Sequence, residues 1–298
     1  MTVQAGIDIL LASYNGGKYI EEQISSILSQ TYGNFQLLVR DDGSSDDTPK
    51  ILNHFEKKDK RIRLIRDNLG NLGFVSNFER LMQESDSELA MLSDQDDIWF
   101  PDKVERYVRR AGEEDIISPF LIHSDCIVCD EELRIIRKSY ISSSAEGSNL
   151  QNMFFCFMVQ GASMMFNRAL KDMFLPFLPE AYLHDRYIHV MAELFGKRLF
   201  IPKTTMYYRQ HGKNQIGSGS SIIDKILHKR YFDPRDRMLL MAVYDKYEGK
   251  MPEFAKKQFM AYLYITDRSR SRFRRMLEVY KSGITMNFNK KLFLTFKG

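Results

Sequence analysis

Short apolar runs and amphipathic stretches alternate through the first third of the chain. Ile7 to Ala12 is apolar but for Asp8, Phe35 to Val39 is mostly apolar, Ile62 to Ile65 is a third run, and Leu89-Ala90-Met91-Leu92 is a fourth. Runs this short predict strands. Between them Ile20, Ile24, Ile27 and Leu28 recur at helical spacing, and Ile51 with Phe55 marks a short helix beyond the turn Asp41-Asp42-Gly43-Ser44. Phe74, Phe78, Leu81 and Met82 form a further stripe after the loop Asn68 to Gly73. The alternation predicts an α/β fold, with a Rossmann-like, mostly parallel sheet flanked by helices. Further along, a loop with Pro176, Pro179 and Leu183 precedes the helical stripe Ile188, Met191 and Phe195.

A sheet of this kind binds its ligand at the carboxyl ends of its strands. Three polar clusters fall there: Ser13-Tyr14-Asn15-Gly16, Arg40-Asp41-Asp42-Gly43-Ser44 and Ser93-Asp94-Gln95-Asp96-Asp97. The third crowds three carboxylates against an apolar strand, where like charges repel unless a cation holds them. Asp94 and Asp96, one residue apart, suit a hard divalent ion with oxygen ligands, which could clamp a diphosphate. The same stretch also reads as a solvated turn, with Asp97 capping a helix announced by Pro101. Asp42 can accept hydrogen bonds from a nucleobase N–H or a ribose hydroxyl, with Gly43 letting the backbone pass close. A plain turn with Asp46 or Asp47 as helix cap is the other reading there. No Gly-x-x-x-x-Gly-Lys-Ser/Thr loop occurs, and no Gly-x-Gly-x-x-Gly follows the first strand, so the common phosphate loops are excluded.

At 298 residues and 44% hydrophobic content the chain can build one large or two small domains. The longest apolar candidate, Met153 to Val159, falls well short of the roughly 20 residues of a membrane span. The first strand begins too early for a signal peptide, so a cytoplasmic location is expected. An odd count of three cysteines argues against a disulfide framework. Cys126 and Cys129 have no second pair, and residues three apart on a strand face opposite sides, so they read as strand filling. The net charge of +4 hides an asymmetry, because residues 250–298 hold 12 Lys and Arg against Glu253, Asp267 and Glu278, a local charge of +9. Interleaved with Phe273, Phe288, Leu292, Phe293 and Leu294, this end suits an anionic lipid surface or an anionic acceptor, and equally a solvated helical face. Without a recognisable module, nucleic acid is not an expected partner.

Several motifs in fixed order carry a resemblance. They are Ile9-Leu10-Leu11-Ala12-Ser13-Tyr14-Asn15-Gly16, Gln30-Thr31-Tyr32, Asp41-Asp42-Gly43-Ser44-Ser45-Asp46, Asn77-Phe78, Ser93-Asp94-Gln95-Asp96-Asp97-Ile98-Trp99, His184-Asp185 and Tyr208-Arg209-Gln210-His211-Gly212. From about Ile7 to Gly217 the chain resembles the family 2 inverting glycosyltransferases of GT-A fold, and most of all the bacterial polysaccharide rhamnosyltransferase-like branch. The resemblance implies a donor nucleotide site at Ser13, Tyr14, Asn15, Asp42 and Asp94. It implies an Asp-x-Asp motif at Asp94-Gln95-Asp96, with Asp94, Asp96 and His211 holding Mn²⁺ or Mg²⁺. His211 could instead donate to phosphate. Asp185 would be the base that takes the acceptor proton, although a helix start also suits a simple N-cap. Trp99, Gly161, Ala162, His184 and Arg186 would shape the acceptor side, Arg186 standing where the branch often carries an aromatic residue.

The implied donor is a nucleoside-diphosphate sugar, dTDP-rhamnose by resemblance to that branch, with a UDP-hexose as the alternative. The acceptor would be a glycan or lipid-linked glycan of surface polysaccharide, met on the inner face of the plasma membrane. The expected organisation is a GT-A domain over 1–217, with a donor half at 1–100 and an acceptor half at 101–217, and a helical, basic region over 218–298. A glycoside hydrolase also uses two carboxylates but needs neither metal nor nucleotide pocket. A nucleotidyltransferase would release pyrophosphate. A catalytically inactive relative would keep the fold, but Asp42, Asp94, Asp96, Asp185 and His211 are all present.

Overall fold

The protein is described by a computed structural model over residues 6–141, 154, 159–212 and 233–284. Cys156 and the boundary expected at 217 lie outside the described residues. The four apolar runs become β1 (Ile7–Ser13), β2 (Phe35–Asp41), β3 (Ile62–Leu64) and β4 (Leu89–Ser93), paired in parallel in the order β3-β2-β1-β4. Side chains alternate between two cores, as the pleat requires. Ile9, Leu11, Leu37, Val39 and Met91 face one, while Leu10, Leu38 and Leu92 face the other. The first core is closed by α1 (Ile20–Leu28), α2 (Thr48–Lys58) and α4 (Lys103–Ala111), and the second by α3 (Phe74–Glu84). Register sets Ser13 beside Asp41 and Leu11 beside Ser93, so the polar strand ends share one edge.

The later strands complete a mixed sheet. They are β5 (Ile98–Trp99), β6 (Phe120–Cys129), β7 (Ile135–Arg137), β8 (Met164–Asn167) and β9 (Lys197–Arg209). The order is β3-β2-β1-β4-β8-β6-β9-β5, with β7 on β6. β8 runs antiparallel to both β4 and β6, whereas β9 is parallel to β6. This reversal has a use: it puts the turn Gly161–Ser163, just before β8, on the edge where β1, β2 and β4 end. The parallel run β6–β9 brings Arg209, and His211 after it, to the same edge.

Asp97 does not cap a helix. Its side chain is 0% exposed and accepts from the Arg209 N–H at 3.3 Å. β5 intervenes, and α4 begins only at Lys103, with Asp102 at the cap position and no side-chain cap bond. Asp47 holds the cap position of α2 without a cap bond, while Asp46 accepts from the Thr48 N–H at 3.0 Å. Cys126 and Cys129 are buried on β6, as strand filling requires.

The helices α5 (Arg168–Phe174) and α6 (His184–Phe195) are followed by α7 (Pro234–Tyr247), α8 (Glu253–Thr266) and α9 (Arg272–Ser282). Local sequence explains the ends. Asp233 caps α7 by accepting from the Arg235 N–H, with Pro234 at the first turn, and Ser271 caps α9 by accepting from the Arg274 N–H. Gly283 ends α9 at φ 68°, a left-handed position that suits glycine. Leu239, Leu240 and Val243 of α7 with Phe259, Tyr262 and Ile265 of α8 join the core that holds Tyr187, Ile188 and Met191 of α6. The C-terminal helices therefore extend the main core. Among the described residues no helix is long and apolar enough to cross a membrane.

Phe259 is fully buried, with its ring 5.0 Å from that of Phe154. Truncating it should cost about 3–5 kcal/mol, the usual range for a buried ring. Because the core is shared, denaturant unfolding of Phe259→Ala should show one cooperative transition at lower midpoint; a separate early transition for the C-terminal helices would contradict the shared core.

Candidate active site

The loops after β1 and β2 are braced against each other. Asn15 adopts φ 49°, a left-handed conformation that Asn tolerates. Its N–H donates to Ser44 Oγ at 2.7 Å, and its Oδ1 accepts from the Ser45 N–H at 2.8 Å. The Gly16 N–H donates to Thr48 Oγ1 at 2.9 Å. Gln95, the middle residue of Asp94-Gln95-Asp96, joins the third strand end to this pair. Its Oε1 accepts from the Tyr14 N–H at 2.9 Å, and its Nε2 donates to the Tyr14 carbonyl at 3.0 Å. A Cβ on Gly16 would collide with the Gln95 amide and displace it from Tyr14, so the glycine lets Gln95 approach. Gly43 instead meets a conformational need, at φ 84° with open space where a Cβ would sit.

Asp42 is fixed from below. Arg40 Nη1 donates to Asp42 Oδ1 at 2.6 Å and to Asn77 Oδ1 at 3.1 Å, while Arg40 Nη2 donates to Asp67 Oδ1 at 3.0 Å. The Leu72 and Gly73 N–H groups each donate to the Asp42 carboxylate at 2.8 Å. Beside Arg40, the Asp67 carboxyl is held down at about 2.

These groups open onto a cavity of about 930 Å³. Ser13, Tyr14, Asn15, Asp42, Asp94, Asp96, Gly161, His184, Asp185 and His211 all line it, so most of the site expected from sequence comes together. Its walls include Lys18, Tyr19, Glu131 and Tyr140, which the sequence reading did not select, and Tyr208 of the motif that ends in His211-Gly212. Tyr19 stacks on the His211 ring at 4.6 Å and donates its hydroxyl to Glu131 at 2.7 Å. Isolated aromatic and charged residues in loops carry no spacing that would have marked them.

Burial and the neighbouring Asp96 and Asp185 push the Asp94 carboxyl up, and Asp97 is pushed up by burial and by Asp96 and Asp94. Asp94 is only half-buried because it faces the cavity. The compensating cation is Lys103, fully buried, whose ammonium is itself driven down by burial. Lys103 Nζ donates to the Ala162 carbonyl at 2.6 Å and lies 3.9 Å over the Trp99 ring. The guanidinium of Arg209 donates to the Asp96 carbonyl at 3.0 Å.

His211 Nε2 and Asp96 Oδ2 are 2.8 Å apart, so these two donors of the expected metal set converge. Among the described residues no group of three or more His, Cys, Asp and Glu side chains could hold an ion alone. That donor set fits Mg²⁺ or Mn²⁺ bound by one or two carboxylates and completed by phosphate oxygens, rather than an all-protein cage.

At the acceptor side, Asp185 is the second residue of α6; the cap position is Leu183, so Asp185 is not the N-cap. Its Oδ1 accepts from the Arg186 N–H at 2.7 Å. Burial raises its carboxyl to about 6, against the opposing pull of Arg186 and of the Gly161 backbone. His184 stacks at 4.2 Å on Phe78, with both ring nitrogens buried and unpartnered. Burial lowers its imidazole to about 3, which keeps it neutral. A Cβ on Gly161 would lie 2.8 Å from His184 Nε2, so a larger residue there would displace the His184 ring.

Three expected acceptor residues lie outside the cavity wall. Trp99 is 2% exposed in the core under Lys103, because its strand β5 turns the indole inward. Ala162 is buried in the turn before β8 and offers its carbonyl to Lys103. Arg186 is buried and reaches away to α7, its Nε donating to Asp236 Oδ1 at 2.9 Å.

The sequence profile of Glycosyl transferase family 2 matches residues 8–174. An uncharacterized glycosyltransferase of Haemophilus influenzae is 34% identical over 45% of this chain and 41% of its own length. The chain thus spans less than half of that relative. The dTDP-rhamnosyl transferase RfbG of Shigella flexneri is 28% identical over 74% of this chain and 77% of its own. Among solved structures, TarS 1-349 of S. aureus in complex with UDP-GlcNAc superposes with TM-score 0.65 at 16% identity, covering 93% of this chain and 78% of that one, a likeness of fold.

Removing the Arg40 guanidinium would leave Asp42 and Asp67 buried or half-buried without their counter-ion. Arg40→Ala should therefore cost about 3–5 kcal/mol, as breaking a buried pair does. Thermal melting checks this, and a loss under about 1 kcal/mol, the level of an exposed pair, would show that Asp42 does not depend on it.

Proposed function

The chain belongs to glycosyl transferase family 2, and from that premise we propose that it transfers a sugar, with inversion, from a nucleoside-diphosphate donor to a hydroxyl of a glycan or lipid-linked glycan in bacterial surface polysaccharide synthesis. One observation carries the reading: the strand-end residues Ser13, Asp42 and Asp94 share one cavity with Asp185, which arrives on a different element. A two-substrate displacement needs that arrangement, with the donor on one wall and a proton acceptor on the other.

In the proposed mechanism the Asp42 edge holds the nucleotide and the Asp94–Asp96 edge faces the diphosphate. Asp185 takes the proton of the acceptor hydroxyl, whose oxygen bonds to the anomeric carbon as the bond to the diphosphate oxygen breaks on the opposite face. A divalent cation on Asp94, Asp96 and His211, when bound, would neutralise charge on the departing diphosphate. Neutral His184, with its unpartnered nitrogens, is suited to a sugar hydroxyl, since a buried polar group without a partner is costly until one arrives. Phe74, Phe78, Val159 and Leu183 give this end of the cavity an apolar wall against which a sugar ring can pack. The likeness to RfbG supports dTDP-rhamnose over a UDP-hexose. The work site is proposed to be the inner face of the plasma membrane.

The test is thermal stabilisation by nucleotide sugars with and without Mn²⁺, because a bound donor stabilises by mass action. dTDP-rhamnose with Mn²⁺ should raise the melting temperature most, and Asp96→Ala should abolish the Mn²⁺-dependent part without lowering the ligand-free melting point. Release of pyrophosphate rather than nucleoside diphosphate in turnover, or undiminished turnover of Asp96→Ala, would sink the assignment.

Asp185 makes a separate prediction. As a base it must be ionised, so turnover should rise with pH through about 6 and level above it. Asp185→Asn should lose that limb and about 10²- to 10⁴-fold in turnover. A raised carboxyl favours the protonated folded state, so its contribution to stability is present at low pH and lost as pH rises through about 6. The Asn variant should accordingly melt no lower than the wild type at pH 8, and its advantage should vanish near pH 4. Near-normal turnover in that variant would return Asp185 to a structural role.

A further inference from the structure

Helix α9 carries an apolar stripe that is exposed among the described residues. Phe273, Leu277 and Tyr280 are spaced four and three residues apart, hence on one helical face, and are 78%, 42% and 73% exposed. The opposite face, Arg275 and Val279, is buried against the body of the protein. Arg275 is thus not part of the outer surface, contrary to what the basic run in the sequence suggests. Around the helix, Arg274 and Lys281 flank the stripe on one side and Arg272 on the other. The sequence after Ser282 adds Lys290, Lys291 and Lys297 and no acidic residue. An exposed stripe with two aromatic rings, flanked by cations on a segment of local charge +9, is complementary to a negatively charged surface that is apolar beneath.

We infer that α9 is a membrane-docking helix, which lays Phe273, Leu277 and Tyr280 into an anionic phospholipid surface while Arg272, Arg274 and Lys281 engage the headgroups. The inference rests on the lipid-linked acceptor reading for its purpose, and the path to the site is physical. α9 packs on α8, α8 on α7, and α7 holds Arg186, the residue next to Asp185, through Asp236. Docking by α9 would present the acceptor wall of the cavity from a fixed direction.

The test is co-sedimentation of the full chain with vesicles of phosphatidylcholine alone or mixed with phosphatidylglycerol. Binding to the anionic vesicles should be about tenfold tighter or more and should weaken as salt rises. R272Q/R274Q/K281Q should erase that preference, and F273S/L277S/Y280S should abolish sedimentation, both with unchanged melting temperature. Equal binding to the two vesicle types overturns the inference, as does binding that survives either triple variant. So does absence of vesicle binding together with a concentration-dependent dimer that the serine variant dissolves, which would make the stripe a contact between copies. Failure of nucleotide sugars to stabilise the protein, with vesicle binding intact, would remove the transferase reading and leave α9 as a lipid-binding helix.

Discussion

Repulsion among carboxylates at one edge of the sheet is the constraint around which the site is arranged. Asp94, Asp96, Asp97 and Asp185 lie in or behind one cavity, and burial raises the energy of charge on Asp94, Asp97 and Asp185. Two like charges about 4 Å apart at an effective dielectric of 20 interact by about 4 kcal/mol, a large share of the 5–15 kcal/mol that holds a domain folded. The protein meets this partly with cations and partly by letting protons bind. Lys103 sits buried beneath the cluster, Arg209 ties down the Asp96 backbone and His211 meets the Asp96 carboxylate. Asp94, Asp97 and Asp185 are pushed toward their neutral forms. Such an edge is best satisfied when positive charge arrives with a ligand, so the same crowding that strains the fold gives it a use.

The opposite strategy appears one strand away. Arg40, Asp42 and Asn77, with half-buried Asp67 at the rim, form a network in which every charge has a partner, and the N–H groups of Leu72 and Gly73 complete the Asp42 carboxylate. In the proposed reading Asp42 recognises a neutral base or ribose, a task that needs orientation rather than reactivity. Full pairing supplies it, because a satisfied low-dielectric network has one geometry. The contrast divides the cavity into a rigid wall at Asp42 and an electrostatically strained wall at Asp94–Asp96 and Asp185.

How much of this the sequence revealed follows from what each residue type can signal. The strands, the helices over them and the shared edge were legible because hydrophobic period and strand length constrain them directly, as with Leu89–Leu92 and the Phe74 stripe. Asp185, Asp96 and His211 were legible through motif order. Asp97, Trp99 and Arg186 were misplaced because adjacency in sequence does not fix which way a side chain turns. The two-residue strand β5 sends the Trp99 indole into the core, and α6 turns Arg186 from Asp185 toward α7. Gln95 and Lys103 went unselected because their value lies in long-range partners, Tyr14 in one case and the Ala162 carbonyl in the other. No local pattern announces a contact across that much chain.

The Arg186–Asp236 pair also changes how the C-terminal helices are understood. A purely appended bundle would touch the rest through a surface, yet here α7 and α8 share the core of α6, and an ion pair from buried Arg186 to half-buried Asp236 meets α6 in its first turn. Tyr182 donates to the same Asp236 carboxylate at 3.0 Å, and the Arg186 guanidinium also reaches the Phe154 carbonyl. The start of α6 is thereby held on the side away from the cavity, while Gly161 lies against His184 and Asp185 on the cavity side. Asp185 stands between these two restraints, with a carboxyl raised by burial and an orientation set from both directions. In the proposed reading Asp185 is a proton acceptor, which has to be held within a fraction of an ångström of its target and kept dry enough to be basic. The C-terminal helices contribute to both conditions without lining the cavity.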